Sequence, residues 1–112
     1  MNAPARPDHA ALAATLRRRI LEEPGETPPA ARQAAAQRAA GGPPTQSPYD
    51  DLARQIGEAA YRVTDAQVAS ALSAAGSDKA AFEIIIAASV GAGLFRWEQA
   101  MRALKEASDA PA

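Results

Sequence analysis

Between Tyr49 and Ala110 the chain carries no proline; all nine prolines lie outside that span, eight of them before it. Proline fixes φ, lacks an amide hydrogen and breaks a helix from within. The asymmetry separates a punctuated N-terminal part from a C-terminal part free to form long helices. The expected organisation is a Pro/Ala-rich segment over residues 1–46 with two short helices, a helical core over 47–108 and a tail over 109–112.

Local signals place the helices. Leu12, Leu16 and Ile20 recur every four residues between about Asp8 and Glu22, one apolar stripe that Pro24 and Gly25 end. Thr27 is a good N-cap for a second helix with Pro28 at its first position, and Gly41–Gly42 stop it. The apolar face of that helix is almost wholly alanine, which makes it short or peripheral. Ser47 and Pro48 repeat the cap-then-proline start. Tyr49, Leu52, Ile56, Ala59, Ala60 and Val63 then follow helical spacing, with Asp50 and Asp51 at the positive end of the helix. Thr64 and Gln67 match the capping box, and Val63 and Val68 the hydrophobic staple. Gly76 terminates the helix that begins at Asp65.

A last start at Ser77 or Asp78 leads into Phe82, Ile86, Val90, Gly93, Trp97, Met101 and Leu104, which step by four and three residues. A helix from Lys79 to Ala107 would run roughly 44 Å at 1.5 Å per residue. Gly91 and Gly93 each cost ~1 kcal/mol inside it relative to alanine. Close approach of another helix is the expected compensation, through the small side chains from Ala87 to Gly93. No segment alternates like a strand over a useful length. The expected fold class is all-α, about five helices with a long C-terminal one.

Composition narrows the chemistry. There is no cysteine and one histidine, which excludes a dithiol relay, a cysteine nucleophile and a Cys/His zinc site. His9 lies beside Pro4 and Pro7 in a stretch expected to be mobile, and a general base needs a fixed position. The chain is 47% hydrophobic but only 4% aromatic, and much of the remainder is alanine. Alanine buries little area per residue, so a thin core is expected, with burial between subunits as well as within one. Net charge is −1, from 12 basic and 13 acidic residues, so nothing draws the whole chain to nucleic acid. Arg17, Arg18 and Arg19 fan out over different helix faces, as solvated charges do. No apolar run approaches the ~20 residues of a membrane span, and MNAPARPDHA lacks the apolar segment of a signal peptide. The expectation is a cytoplasmic protein with no cofactor or metal, and with neither nucleic acid nor membrane as partner.

The block from Ala59 to Leu104, AAYRVTDAQVASALSAAGSDKAAFEIIIAASVGAGLFRWEQAMRAL, resembles the C-terminal core of the AhpD-like alkylhydroperoxidase and carboxymuconolactone decarboxylase superfamily. The resemblance covers roughly residues 49–107. In the peroxidase branch, the helix entering that core carries Cys-x-x-Cys-x-x-x-His. Counting back from Ala74-Ala75-Gly76, the first cysteine falls on Tyr61, the second on Thr64 and the histidine on Val68. Helix-initiation chemistry replaces the motif: Thr64 caps, Val68 staples, and Tyr61 extends the preceding apolar face. The resemblance implies an AhpD-like domain without peroxidase activity. It also implies a homo-oligomer (dimer, trimer or hexamer) built by packing helices across subunits. Phe82, Ile86, Val90, Gly91, Gly93, Trp97 and Met101 are the expected interface, and Glu83 and Arg96 are candidates for an intersubunit ion pair.

The function expected first is an oligomeric scaffold or accessory subunit that binds a protein partner. The alternative is a decarboxylase or isomerase of a small acidic lactone or keto acid. Tyr61, Arg62, Asp65 and Glu58 would carry it, since such groups bind an acid or pass a proton. Against this, Asp65 sits where helix-dipole acids are common, and Arg62 reads equally as a solvated charge. A third reading is a small-molecule carrier using apolar space between the Tyr49–Val63 helix and the long helix. Gly91-Ala92-Gly93 lacks the strand, third glycine and Lys-Ser/Thr of a phosphate loop. Trp97 has no surrounding basic patch, so it reads as core or interface rather than a base-stacking platform.

Overall fold

Five α-helices and one 3-10 turn make up the regular structure of residues 6–111, which the computed structural model describes. They are α1 (His9–Leu21), α2 (Pro29–Ala39), α3 (Tyr49–Ala59), the turn Ala60–Arg62, α4 (Asp65–Ala75) and α5 (Asp78–Asp109). The described residues form no strand, and the all-α expectation holds. At 32 residues α5 is about 48 Å long. It sets the shape: the radius of gyration is 16.6 Å, against roughly 13 Å for an average domain of this length.

Capping fixes most of the boundaries. Asp8 accepts from the Ala11 amide at 2.9 Å and starts α1. Thr64 and Gln67 complete the capping box of α4, and Gly76 closes that helix in the left-handed region at φ 87. Ser77 caps α5 through the Ala80 amide at 3.0 Å. Two expected caps shift by one residue. Pro28 and Pro48, not Thr27 and Ser47, precede α2 and α3, and neither helix start has a side-chain cap. Thr27 is buried instead, with its hydroxyl committed to α5. Asp50, rather than Ser47, organises the start of α3: it accepts from the Thr45 amide at 2.9 Å and pairs with Arg38 at 2.8 Å.

The core is thin and made chiefly of alanine. Ala35, Ala36, Ala39, Ala53, Ala71, Ala80, Ala81, Ala87, Ala88 and Ala92 are buried, and the largest fully buried side chains are only Leu52 and Ile84. Small side chains let backbones approach where large ones would hold them apart. α2, expected to be peripheral, packs more extensively on α5 than any other helix does. A methyl group added at Gly91 would lie 2.5 Å from the Ala36 carbonyl oxygen, and one at Gly57 would lie 1.9 Å from that of Ala39. The expected compensation for a glycine inside α5 is thus met at Gly91, within one chain. Gly93 has no such neighbour: nothing lies within 4 Å of its added methyl.

The expected stripe on α1 does not form the core. Leu12 and Leu16 stay exposed, because α1 enters the bundle by its C-terminal end, through Ile20 and Leu21 against Ala36 and Ala87. His9 is the first residue of α1 and exposed. The expectation that no apolar run approaches membrane-spanning length is corrected by α5, which is long and apolar enough by length and composition. In its most apolar window 44% is buried against the chain's own helices and the rest is partly or fully exposed.

Replacing Gly91 or Gly57 by alanine should therefore destabilise the fold by about 2 kcal/mol, the overpacking cost outweighing the intrinsic gain in helix propensity. Gly93→Ala should leave the isolated chain at least as stable. Urea denaturation of the three variants checks this, and a stabilised Gly91→Ala variant would contradict the close α2–α5 packing.

Candidate functional site

The α3–α4 junction corresponds to the expected catalytic positions. α3 ends at Ala59, the chain tightens through Ala60–Arg62, and Val63 and Thr64 run extended into α4. Gln67 does two jobs there. Its side-chain oxygen accepts from the Thr64 amide at 2.9 Å, and its side-chain nitrogen donates to Asp51 Oδ2 at 2.8 Å. Asp51 Oδ1 accepts from Arg54 at 2.8 Å, and Arg54 in turn donates to Glu58 Oε2 at 2.9 Å. This polar row pins the start of α4 to the outer face of α3. The Gln67 hydrogen bond, then Arg54, holds the Asp51 carboxyl below its ordinary value, and Asp51 with Glu58 raises Arg54.

The junction does not assemble a catalytic cleft. Tyr61 is 83% exposed, since the 3-10 turn takes it out of the register of α3; it does not extend the α3 apolar face as expected. The Arg62 guanidinium lies 5.6 Å over its ring, an exposed cation–π pair. Asp65 is exposed, and Glu58 is exposed and committed to Arg54. Thr64 caps as expected and Val63 packs on the core, while Val68 is exposed. A cleft of about 280 Å³ nearby is lined by Ser47, Pro48, Asp51, Ala66, Gln67 and Ser70. Its strongest polar groups are already bonded to each other. Tyr61, Arg62 and Asp65 do not line it, and Glu58 lines a different cleft of about 290 Å³ with Arg38, Arg54 and Arg96, so the four do not converge on one substrate. The apolar space considered for a carrier, between α3 and α5, is filled by Leu52, Ala53, Ile56, Ile84 and Ala88. Among the described residues no three His, Asp or Glu side chains are placed to hold a metal ion.

The most perturbed titratable group lies elsewhere. Glu83, on α5, accepts from the Thr27 hydroxyl at 2.6 Å, the Thr27 amide at 2.9 Å and the Glu26 amide at 2.9 Å. Buried Arg32 stands 4.0 Å away. Hydrogen bonds from Thr27 and Glu26, with Arg32 behind them, pull the Glu83 carboxyl from 4.5 to about 2. Arg32 also donates to the Ile20 and Glu23 carbonyls, and Gln33 donates to the Leu21 carbonyl at 3.0 Å. α2 thereby satisfies the carbonyls that the end of α1 leaves unpaired. Both Glu83 oxygens and the terminal nitrogens of Arg32 are spent inside the fold, while Arg32 Nε stays unbonded 4.0 Å from Glu83 Oε1; the arrangement is a structural lock. Sequence reasoning missed it. The available signal was one arginine, Arg32, on the otherwise alanine face of α2.

The remaining candidate is the outer face of α5. Ile84, Ala87, Ala88, Gly91, Ala92 and Leu94 turn inward. On the opposite side, Phe82 is 60% exposed, Met101 45% and Leu104 58%; Ile86, Val90 and Trp97 are partly exposed, and Gly93 is open. Of the seven expected interface residues, six share this face. Gly91 does not: it is buried on α2, because residues two apart on a helix diverge by most of a half-turn. The expected Glu83–Arg96 intersubunit pair is also corrected, since Glu83 holds the α1–α2 loop and Arg96 donates to the Gly57 carbonyl of its own chain.

No family model, curated protein or solved structure matches the chain.

Because its pKa is depressed, Glu83 stabilises the fold fully above the ordinary carboxyl value and loses that contribution as pH falls from about 4.5 toward 2. Glu83→Gln should cost about 2 kcal/mol at pH 7, the usual worth of hydrogen bonds to a charged group. Wild type and variant should converge near pH 2. Urea titrations across that range measure it, and a gap that persists at pH 2 would sink the assignment.

Proposed function

We propose that this chain is an AhpD-like helical protein that has given up thiol chemistry and acts as an oligomeric scaffold or accessory subunit. One observation carries the reading: α5 has a core face and, opposite it, a nearly continuous apolar face with nothing on it. Soluble monomers seldom expose apolar patches beyond a few hundred Å², and larger ones serve association. The alanine core supports the same conclusion, since a chain that buries so few large side chains gains most from burying the rest against another subunit. The likeness to the superfamily rests on the Ala74-Ala75-Gly76 ending and the long helix after it. With Tyr61, Thr64 and Val68 at the motif positions and no cysteine, the dithiol step has no nucleophile.

The geometry lends no support to the lactone or keto-acid enzyme, whose four residues are exposed and do not converge on one cleft. Native mass spectrometry of protein purified gently from its own host tests the proposal. The expected result is a closed oligomer, with no hydroperoxide turnover and an unchanged assembly in Tyr61→Phe and Arg62→Ala variants. A bare monomer would end the scaffold reading. A bound small acid lost in both variants would revive the enzyme.

A further inference from the structure

We infer that a second copy of this chain covers the open face of α5, running antiparallel to it about a two-fold axis at Gly93. The inference rests on the oligomeric reading and gives it a surface, an orientation and a stoichiometry.

The spacing of the face is the first argument. Phe82, Ile86, Val90, Gly93, Trp97, Met101 and Leu104 follow steps of four, four, three, four, four and three. This is an eleven-residue repeat of about 3.67 residues per turn, so the stripe runs nearly straight along an ordinary helix. A straight stripe meets another straight stripe along its length without strong supercoiling.

The stripe is also nearly palindromic. Reversed about Gly93, it sets Phe82 opposite Leu104, Ile86 opposite Met101 and Val90 opposite Trp97, each within one residue of register. Each pairing puts an aromatic or flexible side chain against an aliphatic one. A two-fold interface demands this self-complementarity: if one residue meets another, the second must meet the first. A parallel pairing would instead stack Phe82 on Phe82 and Lys79 on Lys79.

Gly93 supplies an independent argument. A glycine inside α5 costs ~1 kcal/mol relative to alanine, and nothing in its own chain lies within 4 Å to require it. Gly91, two residues away, shows what such a glycine does here: it lets a neighbouring backbone close in. At the centre of a two-fold crossing Gly93 would do the same for the second α5. Area agrees. The exposed parts of Phe82, Met101 and Leu104, together with Ile86, Val90, Trp97 and flanking stems, amount to about 500 Å² per protomer. The pair would bury about 1,000 Å², the lower bound for a specific interface.

The absence of cysteine makes the test clean. Phe82→Cys and Leu104→Cys variants are made separately, both at exposed positions. Under mild oxidation the two variants mixed should form a disulfide dimer, while neither should alone. The two positions lie about 33 Å apart along one helix, far beyond disulfide reach. Sedimentation of the wild type should give twice 11.6 kDa. Trp97→Glu, with unchanged helicity by circular dichroism, should weaken association at least ~30-fold, as loss of a central tryptophan anchor does. Disulfides between identical residues would mean parallel pairing and overturn the inference. A closed oligomer in which no combination links would also overturn it, leaving the oligomeric reading intact. A monomer would overturn both, whether free or floating with phosphatidylcholine–phosphatidylglycerol vesicles, where lipid would be the occupant.

Discussion

The distance between helix backbones is the constraint on which this fold depends. α2 and α3 close on their neighbours until the backbone of Ala36 faces Gly91 and that of Ala39 faces Gly57, with no room for a methyl group between. Large side chains cannot fill so narrow a space, so the core is alanine, and dispersion between closely set backbones replaces the burial of leucine and phenylalanine. Beyond Leu21, Leu52, Ile56, Ile84 and Leu94, several of the chain's large apolar residues face outward. Phe82, Trp97, Met101 and Leu104 lie on the outer side of α5, where they are free to meet another surface. Tight packing within the chain and an unsatisfied apolar face are two results of one choice of side-chain size.

A small core needs other means of fixing its loops, and here they are polar. Glu83 reaches from α5 to the amides before α2, Arg32 and Gln33 reach from α2 to the carbonyls ending α1, and Gln67 reaches from α4 to α3. In each case one helix satisfies backbone or side-chain groups that a neighbour leaves open. Such bonds contribute modestly when made, but leaving a buried partner without one is expensive. They select one arrangement of the helices from the several that smooth alanine surfaces would tolerate.

Local sequence told most about helix ends and least about neighbours. The Thr64–Gln67 box, Gly76 and Ser77 were legible because a cap is made within three residues of itself. Thr27 was misassigned as a cap because its partner, Glu83, lies 56 residues away. α2 looked peripheral for the same reason: an alanine face carries no sign of the glycine that will receive it. At the α3–α4 junction the loss of Cys-x-x-Cys-x-x-x-His was plain in the sequence. The exposure of Tyr61 was not, because it depends on a single 3-10 turn that no periodicity announces. The outer stripe of α5 was fully legible, while the division of Gly91 and Gly93 between two faces needed the position of α2.

The bonding of the α1–α2 loop to α5 bears on how the fold is made. Glu26 and Thr27 are held by a carboxylate 57 and 56 residues later, and α2 has its principal partner in the last helix. During synthesis, which proceeds from the N-terminus at a few to some tens of residues per second, α1 through α4 emerge before the helix that organises them. Closing so long a loop sets an entropic toll that local contacts must await. Helices of 11 to 13 residues are marginal in water on their own, so the core closes only once α5 is free of the ribosome to receive α2.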